Sequence, residues 1–467
     1  CMEPITRISI PTKNRPQQLI RLVTSLAEHQ TPHAFTVSVF DQSPSSTAEH
    51  VATQLATVAT ETGTTIEYWT HADVAEYIDA LAAGSGIEAA WLKRAFLPTD
   101  DGISTGMNRN LSLLRHTGVP HAMLDDDIEP AFLSPAPVKP PAETDTLPCT
   151  ITPHLDRASA LKGEPLMATY PLEPLQEPLQ HLSNTLMQAT GDVSPAFHLQ
   201  SLEKRVVMIS PGVAGDTPIR RSYTDLIAPD PTHALFADGA DGYEALQYSP
   251  YVHIAATQPT LTTNPFCVTY CALFPSSKQL PPFPPTGRSQ DTIFGYLLWQ
   301  LYPDWQRLHM PYVMPHRRDS VPPVPVPHTL DTFYSSNVYL MAVLQDSLVY
   351  QGVAPTLPAL GQHLQHLGCT SAHDSVMLAR ELLANDLFAA GEQLQGWVAT
   401  QPAVPEAWYR HIEQLIAHNQ SLQQAIPDWQ PDPTLVAAVQ QRQRDYGHLL
   451  ERWEVLNAAA HVINPDF

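Results

Sequence analysis

The sequence carries its strongest chemical signal in three adjacent carboxylates, Asp125, Asp126 and Asp127, which directly follow the short apolar run at 121–124. Three neighbouring carboxylates repel one another unless a cation lies between them. Such oxygen ligands suit Mg²⁺ or Mn²⁺, which bind one or two carboxylates together with phosphate oxygens. The run therefore predicts either a divalent metal site that holds a diphosphate or a solvated acidic turn after an edge strand.

Two other segments carry side chains suited to a nucleotide. Residues 11–16 follow a β-prone run and open a helix pattern, where backbone N–H groups and the side chains of Lys13 and Arg15 can meet a base or a phosphate. Arg109 lies in a helix pattern upstream of the acidic run and can face a phosphate or pair with the carboxylates. Taken singly, Lys13 and Arg15 are better explained by an ordinary capped, solvated turn.

The pattern around these residues indicates the elements that position them. Short β-prone runs near residues 8, 37, 66 and 122 alternate with apolar residues at helical spacing. This order favours an α/β fold, with a mostly parallel sheet flanked by helices on both faces. Ligands of such sheets bind beyond the carboxyl ends of the strands, which is where Asp41 and the acidic run lie.

Proline-rich stretches at 134–148 and 322–327 divide the rest of the chain. We expect a first domain over 1–328, with an insertion at about 131–205, and an all-helical C-terminal domain over 329–467, where apolar residues recur at helical spacing. The helical domain would serve acceptor recognition or self-association as a homo-oligomer. Within the first domain, the glycines of 212–216 predict a turn.

Composition excludes several classes of protein. The 467 residues include 25 basic and 47 acidic side chains, giving a net charge of −22. This charge disfavours a nucleic-acid binder and docking on anionic lipid. No apolar run approaches the roughly 20 residues of a membrane span, no signal segment opens the sequence, and five scattered cysteines suit packed thiols. We expect a cytoplasmic protein.

Four blocks of this sequence resemble the family-2-type glycosyltransferases of the GT-A fold. They are residues 11–16 (PTKNRP), 39–43 (VFDQS), 107–110 (MNRN) with 124–127 (LDDD), and 287–295 (GRSQDTIFG). The blocks match, in order, a first-strand motif, a second-strand ending, an Arg-Asn helix with a DxD metal motif, and the segment of the catalytic acidic residue. That last segment usually has Glu before Asp, whereas this chain has Gln290.

The resemblance implies a metal-dependent, inverting glycosyltransferase that moves a sugar from a UDP- or GDP-sugar to an acceptor hydroxyl. It implies Mn²⁺ or Mg²⁺ as the cofactor and Asp291 as the catalytic base. The nucleotide-sugar site that it implies consists of Pro11, Thr12, Asn14, Arg15, Asp41, Arg109, Asp125 and Asp126. The implied metal ligands are Asp125, Asp127 and a histidine, for which we favour His316 over His309.

Two other functions and one structural role remain open at this point. A nucleotidyltransferase acting on sugar phosphates also needs paired carboxylates and a divalent ion. A non-catalytic scaffold would keep the fold without turnover. Asp291 is also placed to act as the N-cap of the helix that follows it.

Overall fold

The computed structural model describes residues 5–28, 34–98, 102–134, 141–166, 172–173, 204–216, 243, 245–246, 249–275, 278–319, 328–400 and 403–467. The segment at 322–327 and most of the expected insertion lie outside the described residues.

One mixed sheet forms the centre of the protein, and its main path runs in the order β3-β2-β1-β4-β12-β9-β13-β11-β6. Its strands are β1 (Arg7–Thr12), β2 (Thr36–Asp41), β3 (Thr65–Trp69), β4 (His121–Leu124), β5 (Leu133–Ser134), β6 (Ala142–Thr144), β7 (Thr150–His154), β8 (Glu164–Pro165), β9 (Val206–Asp216), β10 (Tyr251–Ala255), β11 (Thr260–Thr262), β12 (Cys271–Phe274) and β13 (Gln306–His316).

Helices flank this sheet and make up the C-terminal region. Among the described residues, those before residue 320 are α1 (Pro16–Glu28), α2 (Ser45–Thr62), α3 (His71–Ser85), α4 (Ala89–Phe96), α5 (Thr105–Arg115), α6 (Arg157–Ala160) and α7 (Gln290–Leu301). The helical region consists of α8 (Leu330–Tyr334), α9 (Asn337–Val349), α10 (Leu357–Gly368), α11 (Ala372–Ala399), α12 (Glu406–Ala425) and α13 (Pro433–Ile463), with short 3-10 turns after α12 and α13. The α/β class, the flanking helices and the C-terminal helical region are therefore confirmed.

The parallel strands β3, β2, β1 and β4 bring polar residues to one edge of the sheet. Their register aligns Thr12 with Asp41, and Ile8 and Ser9 with Ala122 and Met123. Because parallel strands end at the same edge, Thr12, Asp41 and the acidic run lie side by side.

Strands β12 and β13, from the other half of the sheet, bring further residues to this edge. Strand β12 runs antiparallel to β4 and pairs Cys271 with Leu124, so the residues before β12 lie beside the acidic run. Strand β13 runs parallel to β9 and ends at His316, which forms an isolated bridge with Ile128. Two distant segments thus converge on one short loop after β4.

The expected turn at 212–216 is wrong, because these residues form the last part of strand β9. Gly212 lets the neighbouring strand approach, since a Cβ there would lie 2.1 Å from the carbonyl oxygen of Ile254. Gly215 has a φ of 115°, and a Cβ there would lie 2.3 Å from the carbonyl oxygen of His316. Both glycines serve close strand packing.

The described part of the expected insertion contributes strands to the same sheet. Strand β6 pairs with β11, and β7 pairs with β10. This part of residues 131–205 therefore extends the sheet.

The helical region shares one apolar core with the α/β part. Trp453 and Leu456 of α13 belong to the same buried cluster as Tyr77 and Leu81 of α3. Beyond α13, Asn464 donates to the carbonyl oxygens of Leu114 and Arg115 at the end of α5. The division of the chain at residue 328 stays a prediction. Among the described helices, none has the length and apolarity that crossing a lipid bilayer requires.

Burial of two histidines makes the fold sensitive to acid. The rings of His116 and His121 lie 5.0 Å apart at the base of β4. Burial lowers the pKa of His121 from 6.5 to about 4, and burial together with His121 lowers that of His116. Between pH 6.5 and about pH 4, the imidazole of His121 is protonated in the unfolded chain but neutral in the native state. The free energy of unfolding therefore falls as the pH falls below about 6.5.

We expect His121→Asn, which keeps a donor for the carbonyl of Val119, to reduce this loss. Going from pH 7 to pH 5, the wild type should lose about 2 kcal/mol more unfolding free energy than the variant. Urea unfolding at both pH values measures the difference, and equal losses would contradict the assignment.

Candidate functional site

Buried and partly buried carboxylates and arginines from several places in the chain form the candidate site at the carboxyl edge of the parallel strands. The loop after β4 contributes the acidic run, and β4 is an interior strand whose four residues are all buried. Asp126 and Asp127 are 4% and 2% exposed. The interpretation of the run as a solvated turn after an edge strand is therefore wrong.

Asp126 is held by the loop after β1. Its two carboxylate oxygens accept from Thr12 Oγ1 at 2.6 Å and from Arg15 Nη1 at 2.9 Å. Burial and the charge of Asp127 raise the pKa of Asp126 to about 7, although Arg15 and Thr12 oppose this change. Arg15 thus acts as a counterion to the run.

Asp127 lies between Arg15 and the end of β13. Its Oδ2 accepts from Arg15 Nη1 at 2.6 Å and lies 3.6 Å from Arg318 Nε. Its Oδ1 lies 3.0 Å from His316 Nε2, inside the protein. Burial by itself would raise the pKa of Asp127, but the charges of His316 and Arg15 hold it well below its usual value.

The Asp127–His316 pair brings together two side chains of types that can bind a divalent metal. Asp127 Oδ1 and His316 Nε2 form a buried ion pair, and within the described part of the chain neither atom has a further hydrogen-bond partner. Two ligand atoms bound at right angles to one ion at about 2.1 Å would lie about 3.0 Å apart. The 3.0 Å separation is thus that of an ion pair and also that of two neighbouring ligands of one divalent ion.

A complete protein cage for a metal is absent from the described part of the chain, where no group of three or more His, Cys, Asp or Glu side chains is arranged around one point. Mg²⁺ is commonly held by one or two carboxylates, with water and substrate phosphates in the remaining positions. Asp127 supplies one such carboxylate.

Asp125 belongs to a second charged group, which includes the predicted catalytic residue. Arg109 donates from Nη2 to Asp125 Oδ1 at 2.8 Å and from Nη1 to Asp291 Oδ1 at 2.6 Å. Burial raises the pKa of Asp125, whereas Arg109 lowers it. Arg109 therefore pairs with the acidic run, which was one of its two predicted roles.

Asp291 also accepts from the backbone N–H and the hydroxyl of Thr269, just before β12. Its side chain remains 23% exposed. The alternative in which Asp291 is the N-cap is wrong, because α7 begins at Gln290, with Ser289 at the N-cap position and Asp291 inside the first turn.

Gln290 closes the turn that leads to Asp291. Its Nε2 donates to the carbonyl oxygen of Gly287, and its side chain is buried. Gly287 has a φ of 87° and Ser289 a φ of 67°, so this turn uses two left-handed residues. A glutamate at 290, the residue usual in the resembling family, would have no proton to donate when ionised.

The remaining predicted nucleotide residues lie at the ends of β1 and β2. Asp41 accepts from the N–H of Ser43 at 2.7 Å and from the hydroxyl of Tyr68 at 2.6 Å. Asn14 has a φ of 58°, and its N–H donates to Ser43 Oγ. Pro11 is buried in β1 opposite Phe40.

Of the two candidate histidines, the structure places His316 beside Asp127. His309 lies seven residues earlier in β13, about 20 Å along an extended strand. Its Nδ1 is 3.3 Å from Ser210 Oγ, and burial lowers its pKa to about 3.

Sequence reasoning missed several residues that support the site. Asn108 donates to the carbonyls of Thr12 and Phe40 and so joins α5 to β1 and β2. Arg157, from the expected insertion, pairs with Asp216, which accepts from the N–H of Arg318 at 2.9 Å. Asn108 directly precedes Arg109, so the sequence could have indicated it as a site residue. No local sequence pattern links Arg157 with residue 216.

No family model matches this chain, and a search of curated proteins gives no match.

A substitution tests whether the Gln290 side chain stabilises the turn before Asp291. We expect Gln290→Glu to lower the unfolding free energy by about 1–3 kcal/mol, because it places a buried carboxylate against the carbonyl oxygen of Gly287. Thermal unfolding at pH 7 measures the loss, with the exposed neighbour Thr292→Ser as the control. A variant as stable as the wild type would contradict this role.

Proposed function

We propose that this protein is a metal-dependent, inverting glycosyltransferase that transfers a sugar from a nucleotide-diphospho-sugar to an acceptor hydroxyl. The observation that carries the proposal is the buried ion pair of Asp127 and His316, whose Oδ1 and Nε2 lie 3.0 Å apart, in the same charged cluster as the partly exposed carboxylate of Asp291. A metal position next to a proton acceptor is the arrangement that sugar transfer from a diphosphate requires.

Asp291 is the group that takes the proton. A carboxylate has about four lone-pair sites, and Arg109, the Thr269 hydroxyl and the Thr269 N–H use three of them. Among the described residues, the remaining site is on Oδ2, which accepts the Thr269 N–H alone. We assign Oδ2 as the atom that receives the acceptor's proton.

The reaction is one displacement. As Asp291 takes the proton, the acceptor oxygen forms a bond to the anomeric carbon and the bond from that carbon to the diphosphate oxygen breaks. Attack from the face opposite the leaving group inverts the anomeric configuration.

Arginines and the metal ligands act on the leaving group. Arg15 and Arg318 flank Asp127 and place positive charge beside the diphosphate position. A divalent ion held by Asp127 and His316 would offset the charge that grows on the departing diphosphate. Thr12, Asn14 and Asp41 would contact the base and ribose beyond the ends of β1 and β2.

The proposal is tested by incubating the protein with UDP-, GDP- and dTDP-sugars, with and without Mn²⁺. We expect one nucleoside diphosphate to raise the melting temperature only when Mn²⁺ is present, because a ligand of the native state stabilises it. Transfer or slow donor hydrolysis should show the same metal dependence.

Other outcomes of these assays separate the alternatives. Pyrophosphate release from a nucleoside triphosphate and a sugar phosphate would indicate a nucleotidyltransferase. Metal-dependent binding with neither transfer nor hydrolysis across a panel of acceptors would indicate a scaffold.

Asp291→Asn tests the catalytic base. We expect turnover to fall by about two or more decades while the donor affinity stays within a few-fold, since the change removes the proton acceptor and keeps the side chain's size. Steady-state kinetics and donor titration measure the two quantities. An unchanged turnover number would remove Asp291 from this role.

A further inference from the structure

The catalytic segment, defined here as residues 280–291, receives hydrogen bonds from three side chains of the helical region. Trp453 Nε1 donates to the carbonyl oxygen of Leu280 at 2.6 Å, and the Tyr446 hydroxyl donates to that of Pro282 at 3.0 Å. Asn337 Nδ2 donates to two more carbonyl oxygens, those of Thr286 and Arg288. Four carbonyls of one short segment thus depend on the helical region.

The composition of the catalytic segment explains this dependence. Four of its residues are prolines, at positions 281, 282, 284 and 285, and all four are buried. Proline has no backbone N–H, so this stretch cannot join a helix or a sheet ladder. Buried carbonyls nevertheless require donors, and here side chains supply them.

The other side of the catalytic segment is fixed by α5. Asn110 exchanges two hydrogen bonds with the backbone of Phe283, and the N–H of Met107 donates to the carbonyl of Pro285. The same helix carries Arg109, which pairs with Asp291 at the end of the segment. The segment is therefore held between the helix that orients Asp291 and the helical region.

Asn337 acts closest to Asp291. It is 2% exposed, and its amide spans the turn at Gly287, where an added Cβ would lie 3.0 Å from Asn337 Nδ2. This turn contains the left-handed residues Gly287 and Ser289 and leads directly into α7. A non-glycine residue in that conformation persists only when its surroundings hold it there.

We infer that the helical region positions the catalytic base, with Asn337 as a positioning residue that acts through the backbone of 286–289. The inference rests on the proposed function, since it assigns Asp291 its catalytic role. It gives the helical region a task inside the active site, in addition to the acceptor recognition or self-association expected from the sequence.

Asn337→Ala is the test, and Asn464→Ala is its matched control. Asn464 also donates one side-chain amide to two backbone carbonyls of the α/β part, but these belong to Leu114 and Arg115, away from the catalytic segment. We expect Asn337→Ala to lower kcat at least about tenfold with little change in donor KM, because a displaced base loses its near-attack position. Asn464→Ala should keep kcat within about twofold.

Hydrogen–deuterium exchange supplies a readout that does not depend on activity. The N–H of Gly287 donates to the carbonyl of Ile103, and its exchange reports opening of the turn. We expect exchange at Gly287 to be at least about tenfold faster in Asn337→Ala and unchanged in Asn464→Ala. Tyr446→Phe, which removes one hydroxyl and keeps the ring, should give a smaller effect of the same sign and serves if Asn337→Ala does not fold.

The outcomes are separable. An equal fall of kcat in both asparagine variants, or a normal kcat together with normal exchange in Asn337→Ala, would overturn the inference. If the wild type transfers no sugar, the proposed function fails, and the exchange at Gly287 still decides whether Asn337 holds the catalytic segment.

Discussion

The structure of the site depends on the compensation of buried carboxylates by two arginines. Asp125 and Asp291 share Arg109, while Asp126 and Asp127 share Arg15. A buried carboxylate without such a partner would cost several kcal/mol, so neither arginine can be absent while the carboxylates stay ionised. These ion pairs also fix the relative positions of β4, α5, α7 and the loop after β1. They therefore set the geometry of the site.

The two arginines divide the charged cluster into two halves that differ in their exposure to solvent. Arg109 is almost fully buried, and the Phe283 ring lies 5.5 Å from its guanidinium carbon, so it belongs to the interior frame around the proposed base. Arg15 is partly exposed and reaches the acidic run from solvent. Of the two arginines, Arg15 is therefore the one that a ligand from solvent can reach, whereas the side chains of Asp127 and His316 are only 3% and 0% exposed.

Local pattern predicted the first half of the fold well. Strand β3 and helix α1 follow directly from apolar spacing, and the ends of β2 and β4 placed Asp41 and the acidic run at the right edge. Strand β13 was missed because it contains Pro311 and Pro315, and its pairing with β9 shifts register between His309 and Val313 to accommodate the interruption. Helix α3 was not identified either, although Thr70 and Asp73 form a capping box that the sequence displays.

The pairing of site residues was harder to foresee than their identity. Asp127 and His316 meet only because β13 ends beside the loop after β4, and that depends on a register set across four strands. The link from Asn337 to the turn at Gly287 joins two parts of the chain that no periodicity connects. Spacing along the chain indicates which residues can do chemistry, whereas long-range packing decides which of them touch.

The common core of α3 and α13 has a consequence for how the protein is made. The hydroxyl of Tyr77 binds Asn464, nearly the whole length of the chain away, and Trp453 is buried in the cluster that contains Tyr77. During synthesis α3 leaves the ribosome long before α13 exists, so the apolar face of α3 that packs on α13 stays uncovered for most of translation. Contacts so distant in sequence also slow folding. We therefore expect the emerging N-terminal part to bind a chaperone that covers its apolar surface until α13 has been synthesised.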